Sequence, residues 1–442
     1  MQHLRNDYDI LITDANILTM DPQRRIIKEG VLGIRGEKIA FVGSKAEFEP
    51  SASSAETLAM PGKLLMPGLI NTHGHIAMAL FRGFSDDLAL EAWLAKIWKV
   101  EAQTVTPENI QAGVELALAE MLRGGTTAAA DMYFQYATVC RTCSTIGFRL
   151  FNGPSFAVIP GFEARKNVYY EAALEMLDIF KDDPLIHPCV QAHSTYTASL
   201  QMLEEIARIK EERGLVFVTH AAESLGEMKQ VRSLYNKTPI EVLNEAGLLS
   251  RKTLLAHGVH LSEAEMDLLA ERGSSVAHCP QSNLKLSSGI ARIAEMIGRG
   301  VNVSLGTDGC ASNNDLDLFH EAQTAALLQK GITMDPSVLA AEEAVAMLTI
   351  NGARAFGLED KIGSLEAGKL ADIAVLDFNT ANMTPCYDLY SHIIYAASAH
   401  NVCHTMVNGR WLMKDRQLFS VDEEAAKAKV NKIALEVGRL AA

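Results

Sequence analysis

Between about residues 66 and 330 the chain alternates eight times between a short apolar run and a helix-like stretch. The runs are Leu65–Asn71, Thr126–Asp131, Phe148–Asn152, Ile186–Ala192, Leu215–Thr219, Thr253–Ala256, Ser274–Ala277 and Val301–Gly306. Stretches between them, such as Pro107–Arg123, Ser199–Arg213 and Ser262–Arg272, carry apolar residues at helical intervals. Such alternation implies a parallel sheet, since parallel neighbours need a long crossover between them. Eight units spread over about 250 residues match the size of a (β/α)8 barrel. The expected class is therefore α/β, with the barrel spanning residues 66–365.

The flanks have a different texture. Asp9–Met20 and Gly30–Gly43 read as short apolar strands punctuated by Asp21-Pro22 and Gly36-Glu37. After a helical stretch at about 337–357, Ala371–Asp377 reads as a strand and Thr405–Leu412 as a hairpin turning at Asn408-Gly409. Residues 1–65 and 366–442 are expected to form one small β-sandwich beside the barrel, with a tail helix over Asp422–Leu440.

Composition narrows the partners. Lys and Arg number 40 against 54 Asp and Glu, a formal charge of −14. That balance disfavours nucleic acid and anionic membranes, both of which attract a basic face. No apolar run approaches a membrane span, and the N-terminus lacks the pattern of a signal peptide, so a cytoplasmic enzyme with a small-molecule substrate is expected. Seven cysteines, odd in number and irregular in spacing, argue against a disulfide framework. Cys140-Arg-Thr-Cys143 stands alone and reads as two packed thiols.

Chemistry gathers where the barrel runs end. The first closes on His73-Gly74-His75, and residues i and i+2 of a strand share a face. The fifth ends in His220, with Glu223 three residues on; the sixth ends in His257 and the eighth in Asp308. A barrel brings the C-terminal ends of its strands to one mouth. His73, His75, His220 and Asp308 then make a ligand set for a single zinc with room for water. Such a metal carries water toward hydroxide at neutral pH. Glu223 is placed to shuttle that water's proton, His257 to polarise the scissile centre or orient the nucleophile, and His193 to hydrogen-bond substrate. Taken singly, Glu223 also reads as a surface glutamate, and His257 and His193 as structural imidazoles.

Together these residues resemble the amidohydrolase superfamily. The resemblance rests on Pro67–His75, His220-Ala-Ala-Glu223, His257-Gly-Val-His260, Ser282-Asn283-Leu-Lys-Leu, Gly306-Thr-Asp-Gly309, Ala311-Ser-Asn-Asn-Asp315 and Gly363–Asp372. Within the superfamily it resembles the branch holding 5′-methylthioadenosine/S-adenosylhomocysteine deaminases and the triazine hydrolases and chlorohydrolases. It implies a distorted barrel with a flanking β-sandwich, one divalent metal (zinc, with iron as the alternative) and a homo-oligomer. Binuclear relatives use a strand-four carboxylate or carboxylated lysine, and His187–His193 contains no lysine. The implied reaction is hydrolytic deamination through metal-bound hydroxide at C6 of adenine. Glu223 carries the proton to the ring, and His257 and Asp308 assist departure of ammonia.

The same resemblance implies substrate contacts. Trp93, in the loop Arg82–Trp93, is the candidate to stack on a purine, with packing inside the loop as the competing role. Glu101 matches the position that holds ribose hydroxyls, unless it is a solvated helix-end glutamate, and Asn283 is the candidate for the ring or ribose. Homocysteine-binding relatives carry an arginine after strand three. Asn152–Phe156 has none, and Arg165 is the nearest substitute. The expected substrate is 5′-methylthioadenosine, with adenosine and S-adenosylhomocysteine also open. The competing readings are an aminohydrolase or chlorohydrolase of a triazine, pterin or guanine-type ring, and a non-catalytic scaffold.

Overall fold

The computed structural model describes residues 7–49, 51–156 and 168–441; the side chains of 168–172 and 441 lie outside the description. Eight parallel strands form one sheet in strict chain order. They are β1 (Leu69–Asn71), β2 (Thr126–Asp131), β3 (Arg149–Asn152), β4 (Ile186–Gln191), β5 (Val216–Ala221), β6 (Thr253–His257), β7 (Ser275–His278) and β8 (Asn302–Leu305). The sheet closes on itself. The Thr72 amide donates to the Leu305 carbonyl at 2.9 Å, the Asp308 amide to the His73 carbonyl at 3.0 Å, and Gly74 bridges Asp308. This is the (β/α)8 barrel the alternation predicts.

The crossover helices begin and end where local chemistry sets them. Thr106 caps the helix Pro107–Arg123, its side chain accepting from the Asn109 amide, and Pro107 stands at the first turn. Ser199 caps Leu200–Arg213, and Ser262 with Glu265 forms a capping box on Glu263–Arg272. Helices cover the outside of the barrel and side chains fill its inside. Strands β2, β3, β6 and β7 are accordingly buried at every position.

The two chain ends meet in a mixed nine-stranded sheet. Its central pairing joins Lys63–Pro67 from the N-terminal part to Ile373–Asp377 from the C-terminal part, antiparallel. Ile12, Leu32 and Ile34 share a core with Ile373, Val375 and Met406, so both halves depend on each other. The hairpin Val402–Val407/Arg410–Lys414 turns at Asn408 and Gly409, with φ of 52° and 75°. Both values suit the primed turn that matches strand twist. The apolar run beginning at Leu65 is split between the sheets. Leu65–Pro67 pairs in the terminal sheet, and only Leu69–Asn71 belongs to the barrel. Gly68 lies at the crossing, where a Cβ would meet Thr127 Oγ1 at 2.1 Å. The sheet and barrel are tied by Arg149 of β3, whose guanidinium grips Asp372 at 2.8 and 3.1 Å in full burial. Cys140 and Cys143 are buried free thiols on Tyr136–Ile146. Among the described residues no helix is long and apolar enough to cross a membrane.

Candidate metal centre and active site

Hydrogen bonding between strands continues past the end of β1. It holds the chain extended to Gly74, whose carbonyl accepts from the Met132 amide at 2.9 Å. His73 and His75 therefore keep strand alternation and face the same way. Across the seam the chain after β8 approaches so closely that a Cβ on Gly306 would lie 2.8 Å from His73 backbone atoms. Two residues further on, Asp308 has φ 58°, and His257 at the end of β6 has φ 76°. Left-handed backbone at non-glycine residues costs on the order of 1–3 kcal/mol and clusters at functional sites. Here it turns both side chains into the mouth.

Four donor atoms meet there. Asp308 Oδ1 lies 3.5 Å from His73 Nε2 and 3.2 Å from His75 Nε2, and His75 Nε2 lies 3.4 Å from His220 Nε2. A tetrahedral zinc with bonds of about 2.0–2.2 Å spaces its ligands about 3.3–3.5 Å apart, and these three contacts match that spacing; His73, His75 and Asp308 form one group with donors mutually within 4.8 Å. His73 Nε2 is buried with no hydrogen-bond partner, an otherwise costly state. His257 also comes within 4.8 Å of the His73 and His220 donors. Its Nε2 also faces Glu223 Oε2 at 3.7 Å.

Backbone carbonyls set the tautomers. His75 Nδ1–H donates to the Met132 carbonyl at 2.6 Å and His220 Nδ1–H to the His193 carbonyl at 2.7 Å. Each bond turns Nε2 toward the cluster. Burial, partly opposed by Asp308, lowers the His73 pKa to about 4, and burial with neighbouring imidazoles drives His220 well below its usual range. Burial acts downward on His75 too. There the Asp308 carboxylate outweighs it and lifts the value to about 9. Despite burial, the two imidazoles beside it keep Asp308 well below the usual carboxylate range.

Glu223 is buried 8% exposed in the loop after β5, and burial raises its pKa to about 7. Its backbone amide and that of Ala222 donate to Glu227, at 2.7 and 3.2 Å. His257 Nδ1–H donates to Asn283 Oδ1 at 2.8 Å, and its Nε2 faces Glu223 Oε2 at 3.7 Å. Asn283 thus orients an imidazole, while its Nδ2 is buried without a partner. His193 adjoins the cluster, its ring centroid 4.9 Å from that of His220, and burial lowers its pKa to about 4.

The remaining expected contacts lie on the helix Leu90–Thr104. Trp93 is buried and its indole N–H donates to the Ala311 carbonyl at 3.1 Å, the loop-packing role. Glu101 is buried, its pKa raised by burial, and its Oε1 accepts from the Tyr133 hydroxyl. It is not a solvated helix end. Arg165 lies outside the described residues.

Several site residues were given no role from the sequence alone. The Ser282 and Ser312 hydroxyls both donate to Asp308 Oδ2, at 2.6 and 2.9 Å. Asp131, Asn152 and Gln191 end β2, β3 and β4 and bond one another: Asn152 Nδ2 to Asp131 Oδ2 at 3.1 Å, Gln191 Nε2 to the Asp131 carbonyl at 2.7 Å. Asp131 Oδ1 also accepts from the Ile76 amide at 2.7 Å, and burial raises its pKa to about 6. Their position at strand ends was visible; their partners were not.

A barrel mouth that gathers three imidazoles, a carboxylate and a buried glutamate belongs to metal-assisted hydrolases as a class. Residues 64–412 match the amidohydrolase family, and the chain belongs to it. Among its relatives is a 5-methylthioadenosine/S-adenosylhomocysteine deaminase of Syntrophobacter fumaroxidans, 39% identical over 96% of this chain and 98% of that protein. A 5′-deoxyadenosine deaminase of Methanosarcina mazei is 38% identical over 97% and 98%. The crystal structure of an adenosine deaminase from Xanthomonas campestris with bound zinc superposes with a TM-score of 0.94, at 35% identity over 98% and 99%.

Proposed function

We propose that this chain is a metal-dependent aminohydrolase of an adenine nucleoside, replacing the exocyclic amine at C6 with oxygen and releasing ammonia. The observation that carries it is the cluster of His73, His75, His220 and Asp308, with three donor contacts of 3.2–3.5 Å, and His257 Nε2 facing Glu223 Oε2 at 3.7 Å beside it. Relatives named for deaminating four adenine nucleosides support the substrate class. A divalent ion such as zinc would supply Lewis acidity and acidify water at that point.

The protein residues handle the protons. Glu223, with a pKa near 7 in the metal-free cluster, is suited to accept a proton from the attacking water and deliver it to a purine ring nitrogen. His257, held by Asn283, presents an Nε2 that can orient the nucleophile or receive a proton on the path to the leaving amine. Asp308 is ionised and can accept a hydrogen bond from the same water. Water and nucleoside in, ammonia and the 6-oxo nucleoside out, balances the step. Glu101, with Oε1 taken by Tyr133, has Oε2 for a ribose hydroxyl. Self-association and a cytoplasmic location belong to the same proposal.

The test is ammonia release by the zinc-loaded enzyme across 5′-methylthioadenosine, 5′-deoxyadenosine, adenosine, S-adenosylhomocysteine, free adenine, guanine, pterins and aminotriazines. Preference for a 5′-substituted or plain adenosine supports the proposal. Preference for a free base, pterin or triazine overturns it.

A further inference from the structure

Asp308 divides its two oxygens between different neighbours. Oδ1 faces the imidazoles, at 3.5 Å from His73 and 3.2 Å from His75. Oδ2 faces away and accepts from Ser282 Oγ at 2.6 Å and Ser312 Oγ at 2.9 Å. The two hydroxyls are 3.0 Å apart, and Ser312 Oγ also lies 3.1 Å from the Gly309 carbonyl. For each hydroxyl the shortest of these contacts is to the carboxylate oxygen, an ionised acceptor that a hydroxyl can only meet by donating. All three residues are buried, Ser282 at 0%, Ser312 at 1% and Asp308 at 6% exposure. No solvent competes for the bonds.

The serines come from separate elements. Ser282 lies on the short helix Pro280–Lys285 after β7, and Ser312 in the turn after β8, where its amide donates to Gly309 at 2.9 Å. A carboxylate oxygen has two in-plane lone pairs, and two donors fill both. Oδ2 is then closed to a cation and to water, and the plane of the carboxylate is fixed.

Resting on Asp308 as a ligand in the proposed centre, we propose that Ser282 and Ser312 are positioning residues that keep Asp308 monodentate. They leave Oδ1 as its sole coordinating oxygen. The consequence is functional. A carboxylate free to swing would chelate through both oxygens and occupy the coordination position that substrate water needs, and catalytic zinc sites depend on that open position. The serines also restrict the orientations the carboxylate samples before a cation arrives.

The test uses the full chain, stripped of metal by a chelator and reloaded with zinc or cobalt(II). Ser282→Ala/Ser312→Ala is expected to weaken zinc affinity about 10- to 100-fold in competition with a chromophoric chelator, the scale typical of outer-shell partners. Bidentate coordination raises the coordination number, so the visible absorption of the cobalt(II) form is expected to fall. Ser312→Thr, which keeps a hydroxyl, is expected to hold both readouts near wild type. Circular dichroism and the melting temperature of the metal-free variants separate folding from coordination. If the double variant folds and keeps both zinc affinity and cobalt spectrum, the proposal is overturned. Asp308→Asn distinguishes the levels. Loss of affinity there with none in the double serine variant rejects the serine role alone; no loss in either rejects Asp308 as a ligand, and the serine role with it.

Discussion

The two halves of the barrel mouth end their strands in different chemistry. Strands β1, β5, β6 and β8 lead into His73, His75, His220, His257 and Asp308, whose inward atoms crowd each other and include an orphaned nitrogen. Strands β2, β3 and β4 end in Asp131, Asn152 and Gln191, which bond to one another and to backbone. The first group leaves His73 Nε2 without a hydrogen-bond partner, a place a cation would fill under the proposed function. The second is nearly complete, and it serves the first through carbonyls, since Met132 and His193 fix the rings of His75 and His220. Burial raises Asp131 as it raises Glu223, to about 6 and about 7. A shifted carboxyl alone therefore does not mark the catalytic half; its neighbours do.

The largest effect should come from breaking the first half. His73→Ala or Asp308→Asn should cost roughly 10⁴-fold in kcat/KM, equivalent to several kcal/mol of lost Lewis-acid stabilisation. Metal content measured on the same samples should fall with it. Activity persisting in metal-free protein would remove the basis of the comparison. Next in size, Glu223→Gln should lower kcat about 10²- to 10⁴-fold while metal content stays at the wild-type level. Turnover near wild type would transfer the proton role elsewhere.

The contrast between the halves also explains what could be read without a structure. The barrel was legible because eight apolar runs and the helically spaced stretches between them are local signals. The histidines and Asp308 were legible because their neighbours in sequence already place them at strand ends. Ser282 and Ser312 were not. Both lie within recognisable segments, but the carboxylate they meet is supplied by barrel closure, and a hydroxyl leaves no periodic trace. Asn283 was expected at the substrate, and its Oδ1 is found on His257. The join at Gly68 was hidden for another reason: one apolar run serves two sheets, and hydrophobicity does not name its partner strand.

A smaller effect is expected in how the first half loads. His75 holds its proton up to a pKa of about 9 in the metal-free protein, and a cation must displace it. Below that value the proton opposes binding; above it nothing is displaced. Apparent zinc affinity should therefore rise roughly tenfold per pH unit from 7 to 9 and then flatten. Calorimetry at pH 7 in two buffers of different ionisation enthalpy should report release of about one proton. A buffer-independent heat would mean the ring is already neutral and the two halves are less distinct than their geometry implies.

The smallest effect on turnover should come from the second half. Asn152 Nδ2 donates to Asp131, and Asn152 Oδ1 accepts from the Gly153 amide at 2.7 Å and from Gln191 at 3.4 Å. In Asn152→Ala these buried groups lose their partner, which should cost about 1–3 kcal/mol of stability by denaturant unfolding. The carbonyls of Met132 and His193 remain, so the tautomers of His75 and His220 are preserved, and kcat should change less than about tenfold. The split between stability and turnover is the decisive reading. A fall in kcat as deep as that of Glu223→Gln, at unchanged metal content, would make the amide network part of the reaction and erase the distinction between the two halves.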